Sequence, residues 1–255
     1  MYHVSSFVGP EAKGNQHVVV VGDIDYRECV VLSHKVYPKI LVVLDEPSYP
    51  CPKVQFLTSG RSILRCGSGS LAAAYVLHRY YSAVGERQVS TSAGDIVLGN
   101  VAGEYFFQSP IFPLQKEVHT LSWPSIVNKP VLSVNMLGPR NGYYLLELPD
   151  EKSVKDCYVN SAALCRVSRR AVIVTAKSNR ASDDYVMRYF APQYSQHEDP
   201  ATGSANAMLA EYWQIRLKKK KVVGRQLSQS QGRFCVIKKG LSQRVFGRVV
   251  LDERN

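Results

Sequence analysis

The chain has 255 residues, 45% of them hydrophobic and 21% charged, as in a globular protein with one large domain or two ordinary ones. Its apolar runs are strand-sized, which argues against a membrane-spanning helix, and its first residues lack the pattern of a secretory signal. The net charge of +11 fits small acidic ligands as well as nucleic acid, but no nucleic-acid-binding motif accompanies the basic run at residues 218–221, which we interpret as a solvated helix end.

The six cysteines do not form a zinc-binding pattern, since none belongs to a CxxC pair. They are Cys29, Cys51, Cys66, Cys157, Cys165 and Cys235. We expect free thiols and a cytoplasmic location, because disulfides are rare in that compartment. No glycine-rich dinucleotide loop follows a strand, so we expect neither a metal nor an organic cofactor.

The first half of the sequence alternates short apolar segments with turns, which predicts strands. The predicted strands cover residues 4–8, 17–21, 40–44, 54–57, 95–99 and 104–108. Turns are expected at Gly9-Pro10 and Gly14-Asn15. Residues 71–77 are apolar on every side, and we therefore expect a helix that is buried all round.

The second half resumes this α+β pattern after a polar, proline-rich crossover at residues 109–130. Strands are predicted at residues 143–148, 171–176, 186–190, 228–237 and 244–251. An amphipathic helix is expected at residues 151–164, and a second apolar helix at residues 205–213.

A short internal repeat relates the two halves. A strand ending near Phe56 leads to Cys66 and an alanine-rich helix, and a strand ending near Phe190 leads to Thr202 and a second such helix. We therefore expect two lobes, residues 1–115 and 116–255, with the last strand able to pair back onto the first lobe.

Both apolar helices begin at small residues, Cys66-Gly67-Ser68-Gly69-Ser70 and Thr202-Gly203-Ser204. The first N–H groups of a helix have no partner within it, and together with the helix dipole they attract anions. Glycine lets a ligand approach the backbone closely. The pattern predicts a site for a small anion. The alternative is that the hydroxyl groups only cap buried helices.

Two side chains beside these turns are candidate catalytic groups. Cys66 stands where the helix dipole favours a thiolate, and an inert buried cysteine is the alternative. Asp199 precedes Pro200, which holds it extended, so that its carboxylate either points toward a ligand or caps the next helix. His197 is a weaker candidate, because a surface histidine is the simpler explanation.

These segments resemble the PhzF (phenazine biosynthesis-like) family of the diaminopimelate-epimerase-like superfamily. The resemblance is carried by Tyr189-Phe190-Ala191-Pro192 and by Glu198-Asp199-Pro200-Ala201-Thr202-Gly203-Ser204-Ala205. Residues 142–149, 172–176 and 231–233 are also similar to the family. In the first half, Gly14-Asn15 and Cys66-Gly67 resemble its Gly-Asn turn and its Cys-Gly-His loop.

The resemblance implies an α+β fold of two pseudo-repeated lobes, each a mixed β-sheet wrapped around a central helix, with the substrate in the cleft between them. It implies a homodimer and the cofactor-independent isomerisation or epimerisation of a small carboxylated metabolite. In that chemistry Cys66 and Asp199 are the catalytic candidates. The expected substrate contacts are Asn15, Gly67, Ser68, Gly69, Ser70, Thr202, Gly203 and Ser204.

Two positions depart from the family pattern. Lys39 stands at the position of the family's acid/base glutamate, and Ser68 replaces its loop histidine. A lysine serves as a base only where burial removes its proton. Thr202 takes the place of the second cysteine of the epimerases, and a Cys/Thr pair resembles the dehydratase-type branch. The sequence therefore leaves open an isomerase, a dehydratase-type lyase and a catalytically silent protein that binds metabolites or other proteins.

Overall fold

The computed structural model describes residues 1–116, 121–138, 142–194 and 196–252. Within these ranges the chain has a mixed α/β fold of 17 strands and six α-helices. None of the helices in the described ranges is long and apolar enough to cross a membrane.

The strands and helices follow one another in an order that repeats once along the chain. In chain order, the strands are β1 (Tyr2–Val8), β2 (Asn15–Val21), β3 (Ile40–Asp45), β4 (Lys53–Thr58), β5 (Arg61–Ser62), β6 (Glu86–Thr91), β7 (Gly94–Val101), β8 (Glu104–Pro110), β9 (Leu114–Lys116), β10 (Ser133–Leu137), β11 (Tyr143–Glu147), β12 (Ala171–Lys177), β13 (Tyr185–Ala191), β14 (Gln196–Glu198), β15 (Lys221–Gln226), β16 (Gly232–Lys239) and β17 (Ser242–Leu251). The helices are α1 (Tyr26–Val36), α2 (Gly67–Tyr80), α3 (Trp123–Ile126), α4 (Glu151–Lys155), α5 (Ser161–Val167) and α6 (Gly203–Leu217).

The chain divides into two compact units. The first comprises Met1–Ser109 and Arg244–Asn255, and the second comprises Pro110–Gln243. The first unit thus takes its last strand from the far end of the chain, where β17 pairs antiparallel with β1. The stretch predicted as a crossover, residues 109–130, contains β9 and α3, and its residues 117–120 lie outside the described ones.

In the first unit the sheet closes on itself around α2. Strand pairings run from β1 through β2, β3, β4, β6, β7 and β8 to β17, which returns to β1. Helix α2 packs against β1, β2, β3 and β7 and is buried from Gly67 to Ala74, which confirms the prediction of a helix buried all round. Helix α1 covers other strand residues through an apolar cluster that includes Val18, Cys29 and Leu41.

The second unit repeats this order of strands. β10, β11, β12, β13, β15 and β16 pair in the same parallel and antiparallel pattern as β1, β2, β3, β4, β6 and β7. β14 adds to β13 as β5 adds to β4. Helix α6 takes the place of α2 and is buried along most of its length. Helices α3, α4 and α5 pack into a separate apolar cluster on β11 and β12.

Backbone hydrogen bonds set the residue correspondence between the repeats. The Ile63 N–H donates to the Phe56 carbonyl at 2.8 Å, and the Asp199 N–H donates to the Tyr189 carbonyl at 3.2 Å. Phe56 therefore corresponds to Tyr189. The sequence pattern had aligned Phe56 with Phe190, which is one residue further along. With this register, α2 and α6 begin at equal distances along the chain from Ile63 and Asp199.

The single helix predicted at residues 151–164 is wrong, because the structure has two short helices there, α4 and α5. Asn160 begins the second by accepting a hydrogen bond from a backbone N–H of its first turn. Between the two helices, Cys157 and Val159 turn into the core. The apolar residues predicted as one helical stripe thus belong to two short helices, each of which packs on the sheet separately.

Eight of these strands and helices were absent from the prediction: α1, α3, β5, β6, β9, β10, β14 and β15. In α1 only Cys29 and Ser33 are buried, so the helix lacks a clear apolar stripe, and its valines favour a strand locally. β15 begins at Lys221, inside the basic run that was interpreted as a helix end. The interpretation as a helix end is confirmed for the start of the run, since α6 ends at Leu217 and Lys218 adopts the left-handed conformation.

We expect Gly14→Ala to destabilise the protein more than Gly103→Ala. Both glycines have positive φ, 71° and 85°, which L-residues rarely adopt. A Cβ atom on Gly14 would lie 2.0 Å from the Ser6 carbonyl oxygen, whereas one on Gly103 meets nothing within 4 Å. Backbone strain alone should cost Gly103→Ala about 1–2 kcal/mol, and Gly14→Ala clearly more. Urea unfolding of the two variants measures the difference, and equal losses would contradict the steric role of Gly14.

Candidate functional site

The first unit places Cys66 at the N-terminus of its buried helix. Cys66 is the N-cap of α2, and its Sγ accepts a hydrogen bond from the Gly69 N–H at 3.3 Å. The Ser68 Oγ lies 3.5 Å from the same sulfur, and only 9% of Cys66 is exposed. A sulfur that accepts from a backbone N–H at a helix N-terminus, with a hydroxyl group beside it, is in an environment that favours a negative charge.

Ser68 links Cys66 to the strand that begins at Asn15. The Asn15 Nδ2 donates to the Ser68 Oγ at 3.4 Å, and the Ser6 Oγ donates to the Ser68 carbonyl at 3.0 Å. All of these residues are buried. The close backbone approach at Gly14 brings the start of this strand next to Ser6. Asn15, Ser68 and Cys66, predicted separately from the sequence, therefore form one connected group.

The remaining predicted residues of this turn shape the start of α2. A Cβ atom on Gly69 would lie 2.7 Å from the Phe56 ring and 3.0 Å from the Cys66 Sγ, so only glycine fits there. The Ser70 Oγ donates to the Cys66 carbonyl at 2.8 Å, which engages its hydroxyl within the helix. The Gly67 N–H lies in the first turn, where a helix supplies no partner.

In the second unit, Gln226 on β15 holds the turn that leads into α6. Its Oε1 accepts from the Thr202 N–H at 2.8 Å, and its Nε2 donates to the Asp199 carbonyl at 2.5 Å. Gln226 is fully buried. Sequence reasoning missed it, and no local signal marks it, since β15 also carries the polar residues Lys221 and Arg225. The turn from Asp199 to Thr202 is therefore fixed from a strand 24 to 27 residues away.

Asp199 is half-buried at the start of this turn. Its Oδ1 accepts from the Ala201 N–H at 3.3 Å, so the carboxylate caps the turn, and Thr202 is the N-cap of α6. Burial raises the pKa of Asp199, hydrogen bonds from Thr202 and Ala201 oppose the rise, and the charge of Glu198 adds to it. The group thus keeps its proton to a higher pH than an ordinary aspartate.

Two tyrosines that sequence reasoning missed lie beside Asp199 and the first turn of α6. The Tyr143 hydroxyl donates to the Ser204 Oγ at 3.3 Å, and the Tyr143 ring meets the Tyr189 ring edge-on at 5.4 Å. Burial is the main cause that raises the pKa of both phenols, and the charge of Asp199 contributes. Predicted residues Thr202, Gly203 and Ser204 are thus flanked by a carboxyl group and two phenols.

The immediate neighbours of Asp199 have other partners. Glu198 forms a two-point ion pair with Arg188, at 2.7 and 2.8 Å. His197 is exposed, and its Nδ1 lies 2.7 Å from the Ser161 Oγ. A structural role is the simpler interpretation for both side chains.

Lys39 directly precedes β3, where the sequence resemblance placed it. Its side chain is half-buried, and its Nζ lies 3.5 Å from the Nδ1 of His3 on β1. It therefore contacts a strand neighbour in the first unit.

The cysteines are free thiols. Cys66 is buried and Cys165 is exposed, which makes the second a useful control for the first. In the part of the chain that the structure describes, no three His, Cys, Asp or Glu side chains are placed to share a metal ion.

Comparison with known sequences identifies close relatives along nearly the whole chain. The sequence model of the PhzC-PhzF family, described as phenazine biosynthesis-like protein, matches residues 53–238. An uncharacterized isomerase of Pseudomonas aeruginosa is 30% identical over 257 residues, which cover 98% of this chain and 95% of that protein. An uncharacterized isomerase of Halalkalibacterium halodurans is 26% identical, with 91% of this chain and 88% of that protein covered.

Solved structures share the fold. A PhzF-family protein of Enterococcus faecalis superposes with a TM-score of 0.89 at 23% identity, covering 99% of this chain and 96% of that one. A hydroxyproline epimerase of Agrobacterium vitis, with bound trans-4-hydroxy-L-proline, superposes with a TM-score of 0.61 at 12% identity, covering 99% and 90%. At these identities the likeness concerns the fold alone.

We expect Asp199→Asn to stabilise the protein at neutral pH but not in acid. Because burial raises the pKa of Asp199 above its ordinary 3.8, the folded state binds this proton more strongly than the unfolded chain does. That preference adds stability below pH 3.8 and is lost as the pH rises through the folded-state pKa. Asparagine keeps an oxygen for the Ala201 N–H and carries no charge.

Urea unfolding of parent and variant at neutral pH and below pH 3.8 measures this effect. Asp23→Asn, at an exposed carboxylate, is the matched control and should show no such difference between the two conditions. A loss of stability in Asp199→Asn at neutral pH would contradict the assignment.

Proposed function

The chain belongs to the phenazine biosynthesis-like protein family, and we propose that it is an isomerase that moves a proton within a small carboxylated metabolite without the help of a cofactor. The observation that carries the proposal is the environment of Cys66. Its sulfur lies at the N-terminus of a buried helix within reach of the Gly69 N–H and the Ser68 hydroxyl.

Cys66 is the proposed acid/base group. As a thiolate it takes a proton from the carbon next to the substrate carboxylate and becomes a thiol. The thiol exchanges its proton with solvent and then protonates a neighbouring carbon on the same face of the substrate. One proton moves, no electrons are transferred, and the thiolate is regenerated, so the reaction needs no oxidant or reductant.

The first turns of α2 and α6 are the proposed anion sites. Each begins with a glycine and a serine, Gly67-Ser68 and Gly203-Ser204, whose N–H groups have no intrahelical partner. The positive end of the helix dipole favours a carboxylate there, and it also stabilises the negative charge that develops when the neighbouring carbon loses its proton.

Asp199 is proposed to bind and orient the substrate. Because burial raises its pKa, it keeps a proton at a pH where an exposed aspartate has lost it. A protonated carboxyl group donates a hydrogen bond to a substrate oxygen, which an ordinary aspartate cannot do. Tyr143 and Tyr189 lie beside Asp199 as further neutral polar groups.

A dehydratase-type lyase is the second candidate, and Thr202 favours it. Thr202 stands at the N-cap of α6, the position that corresponds to Cys66 in α2. A Cys/Thr pair resembles the dehydratase-type branch of the superfamily. Such a reaction releases water and forms a carbon–carbon double bond, so the mass of the product distinguishes it from an isomerase.

Three further expectations rest on the family resemblance and complete the proposal: a substrate cleft between the lobes, a homodimer, and a cytoplasmic location. The free thiols fit a reducing compartment. Analytical ultracentrifugation measures the oligomeric state, and a monomer at all concentrations would contradict the dimer.

We expect Cys66→Ala and Asp199→Ala each to abolish proton exchange, and Lys39→Ala chiefly to weaken binding. The protein is incubated in heavy water with panels of hydroxy acids, amino acids and cyclic dienoic acids, and NMR follows deuterium incorporation. Loss of the thiol removes the base, whereas Lys39 contributes a positive charge. Cys165→Ala, at the exposed cysteine, is the matched control and should leave exchange intact.

Full exchange by Cys66→Ala would remove the thiol from the mechanism. No exchange by the parent protein with any of these acids would contradict the isomerase proposal and favour the catalytically silent alternative, which the residues Lys39 and Ser68 support.

We expect Gly203→Pro to weaken the binding of small dicarboxylates more than Gly203→Ala does. Proline removes the first N–H of α6, and it is tolerated at that position because Thr202 before it is extended, with φ −107° and ψ 95°. Alanine adds a Cβ atom and keeps the N–H. Thermal unfolding with ligand measures the effect; ligand at about 100 times its dissociation constant should add about 2.7 kcal/mol in the parent. Equal losses in both variants would point to steric exclusion instead.

A further inference from the structure

His17 and Tyr143 occupy corresponding positions in the two repeats. His17 on β2 pairs with Ile40, the first residue of β3. Tyr143 on β11 pairs with Ala171, the first residue of β12. Both ladders are parallel, so His17 and Tyr143 hold the same register position relative to the strand that follows.

The next ladders keep the same register. Val42, two residues after Ile40, pairs with Phe56. Ile173, two residues after Ala171, pairs with Tyr189. Phe56 and Tyr189 are the pair that the backbone hydrogen bonds had already matched, so the correspondence of His17 with Tyr143 follows from two independent sets of contacts.

Ser68 and Ser204 also correspond, because each is the second residue of its central helix. In the second unit the Tyr143 hydroxyl donates to the Ser204 Oγ at 3.3 Å. In the first unit, His17 lies on the same face of β2 as Asn15, whose amide donates to the Ser68 Oγ. His17 and Tyr143 therefore stand on corresponding faces of their strands, and the side chain of His17 is the shorter one.

His17 is completely buried. Backbone groups of Val4 and Asn15 lie near the ring and favour its charged form, but neither ring nitrogen makes a hydrogen bond of normal geometry to a described residue. A buried polar group without a partner destabilises the folded state. Burial lowers the pKa of His17 to about 3, so the ring is neutral and carries one donor and one acceptor.

We propose that His17 is a positioning residue for Cys66, and that it acts on Ser68 through one bound water molecule, which spans the length that the tyrosine hydroxyl spans in the other repeat. This inference rests on the proposed function, because it gives Ser68 and Cys66 a chemical role. The water accepts from the His17 ring N–H and donates to the Ser68 Oγ.

The hydrogen bonds then form a series that runs through the Ser68 hydroxyl to the Cys66 sulfur. The Ser68 Oγ accepts from the Asn15 amide and from the water, which leaves its own hydrogen for the Cys66 Sγ, 3.5 Å away. Hydrogen bonds in such a series polarise one another, so the Ser68 hydroxyl becomes a better donor to a thiolate. The two buried donors to its oxygen therefore make Ser68 a stronger hydrogen-bond donor to the sulfur than a serine on the surface would be.

The test compares His17→Phe with His17→Tyr. Phenylalanine removes the polar ring, whereas tyrosine reproduces the direct contact that Tyr143 makes with Ser204. The readout is the rate of Cys66 alkylation by iodoacetamide as a function of pH, followed by mass spectrometry of the peptide that contains Cys66.

We expect His17→Phe to move this pH profile upward and to slow alkylation at neutral pH by roughly threefold or more, and His17→Tyr to move it much less. A merely structural role would change stability without moving the profile. An unchanged profile in His17→Phe, or equal shifts in both variants, would overturn the inference.

A second measurement uses the intact chain in case His17→Phe fails to fold. Nitrogen-15 NMR of the His17 ring in the parent protein and in Ser68→Ala reports whether a ring nitrogen is hydrogen-bonded. We expect the ring signals to change in Ser68→Ala, and identical signals would overturn the inference. Neither experiment uses a substrate, so a missing isomerase activity and a missing role of His17 are separate outcomes.

Discussion

A helix enclosed by a sheet must satisfy the polar groups of its first turn without bulk water, and this constraint organises the structure. In α2 the Gly69 N–H has the Cys66 Sγ as its acceptor, although sulfur accepts weakly. An unsatisfied N–H in that position would cost more than a weak bond. The Cys66 sulfur therefore both caps the helix and is the proposed reactive atom. Ser68 contacts this sulfur, and Asn15 donates to Ser68.

The two repeats use the same backbone device with different side chains. The Ser70 Oγ bonds back to the Cys66 carbonyl at 2.8 Å, and the Asn206 Nδ2 bonds back to the Thr202 carbonyl at 3.0 Å. The residue three positions before the cap is isoleucine in one repeat and Asp199 in the other. The same arrangement of strands and helix thus supplies a thiol in one repeat and a carboxyl group in the other.

Local sequence patterns predicted much of this arrangement. Small residues before an apolar run indicated both helix starts, and Cys66, Ser68 and Asn15 do meet in the first unit. Patterns of neighbouring residues could not indicate Gln226 or Tyr143, because each reaches its turn from a strand 24 or 61 residues away in the chain. The same limit applies to α1, whose burial depends on strands that follow it, and to residues 151–164, where two contacts with the sheet resemble one helical period.

The return of the last strand to the first unit also affects how the protein is made. A ribosome releases Met1–Ser109 early, yet the ring of strands around α2 stays incomplete until β17 has left the exit tunnel. The second unit, Pro110–Gln243, is continuous and has all its residues before that moment. Domains generally fold from the N-terminus during synthesis. Here, by contrast, the second unit is the first to have all its residues. One edge of β1 stays unpaired until β17 has been synthesised.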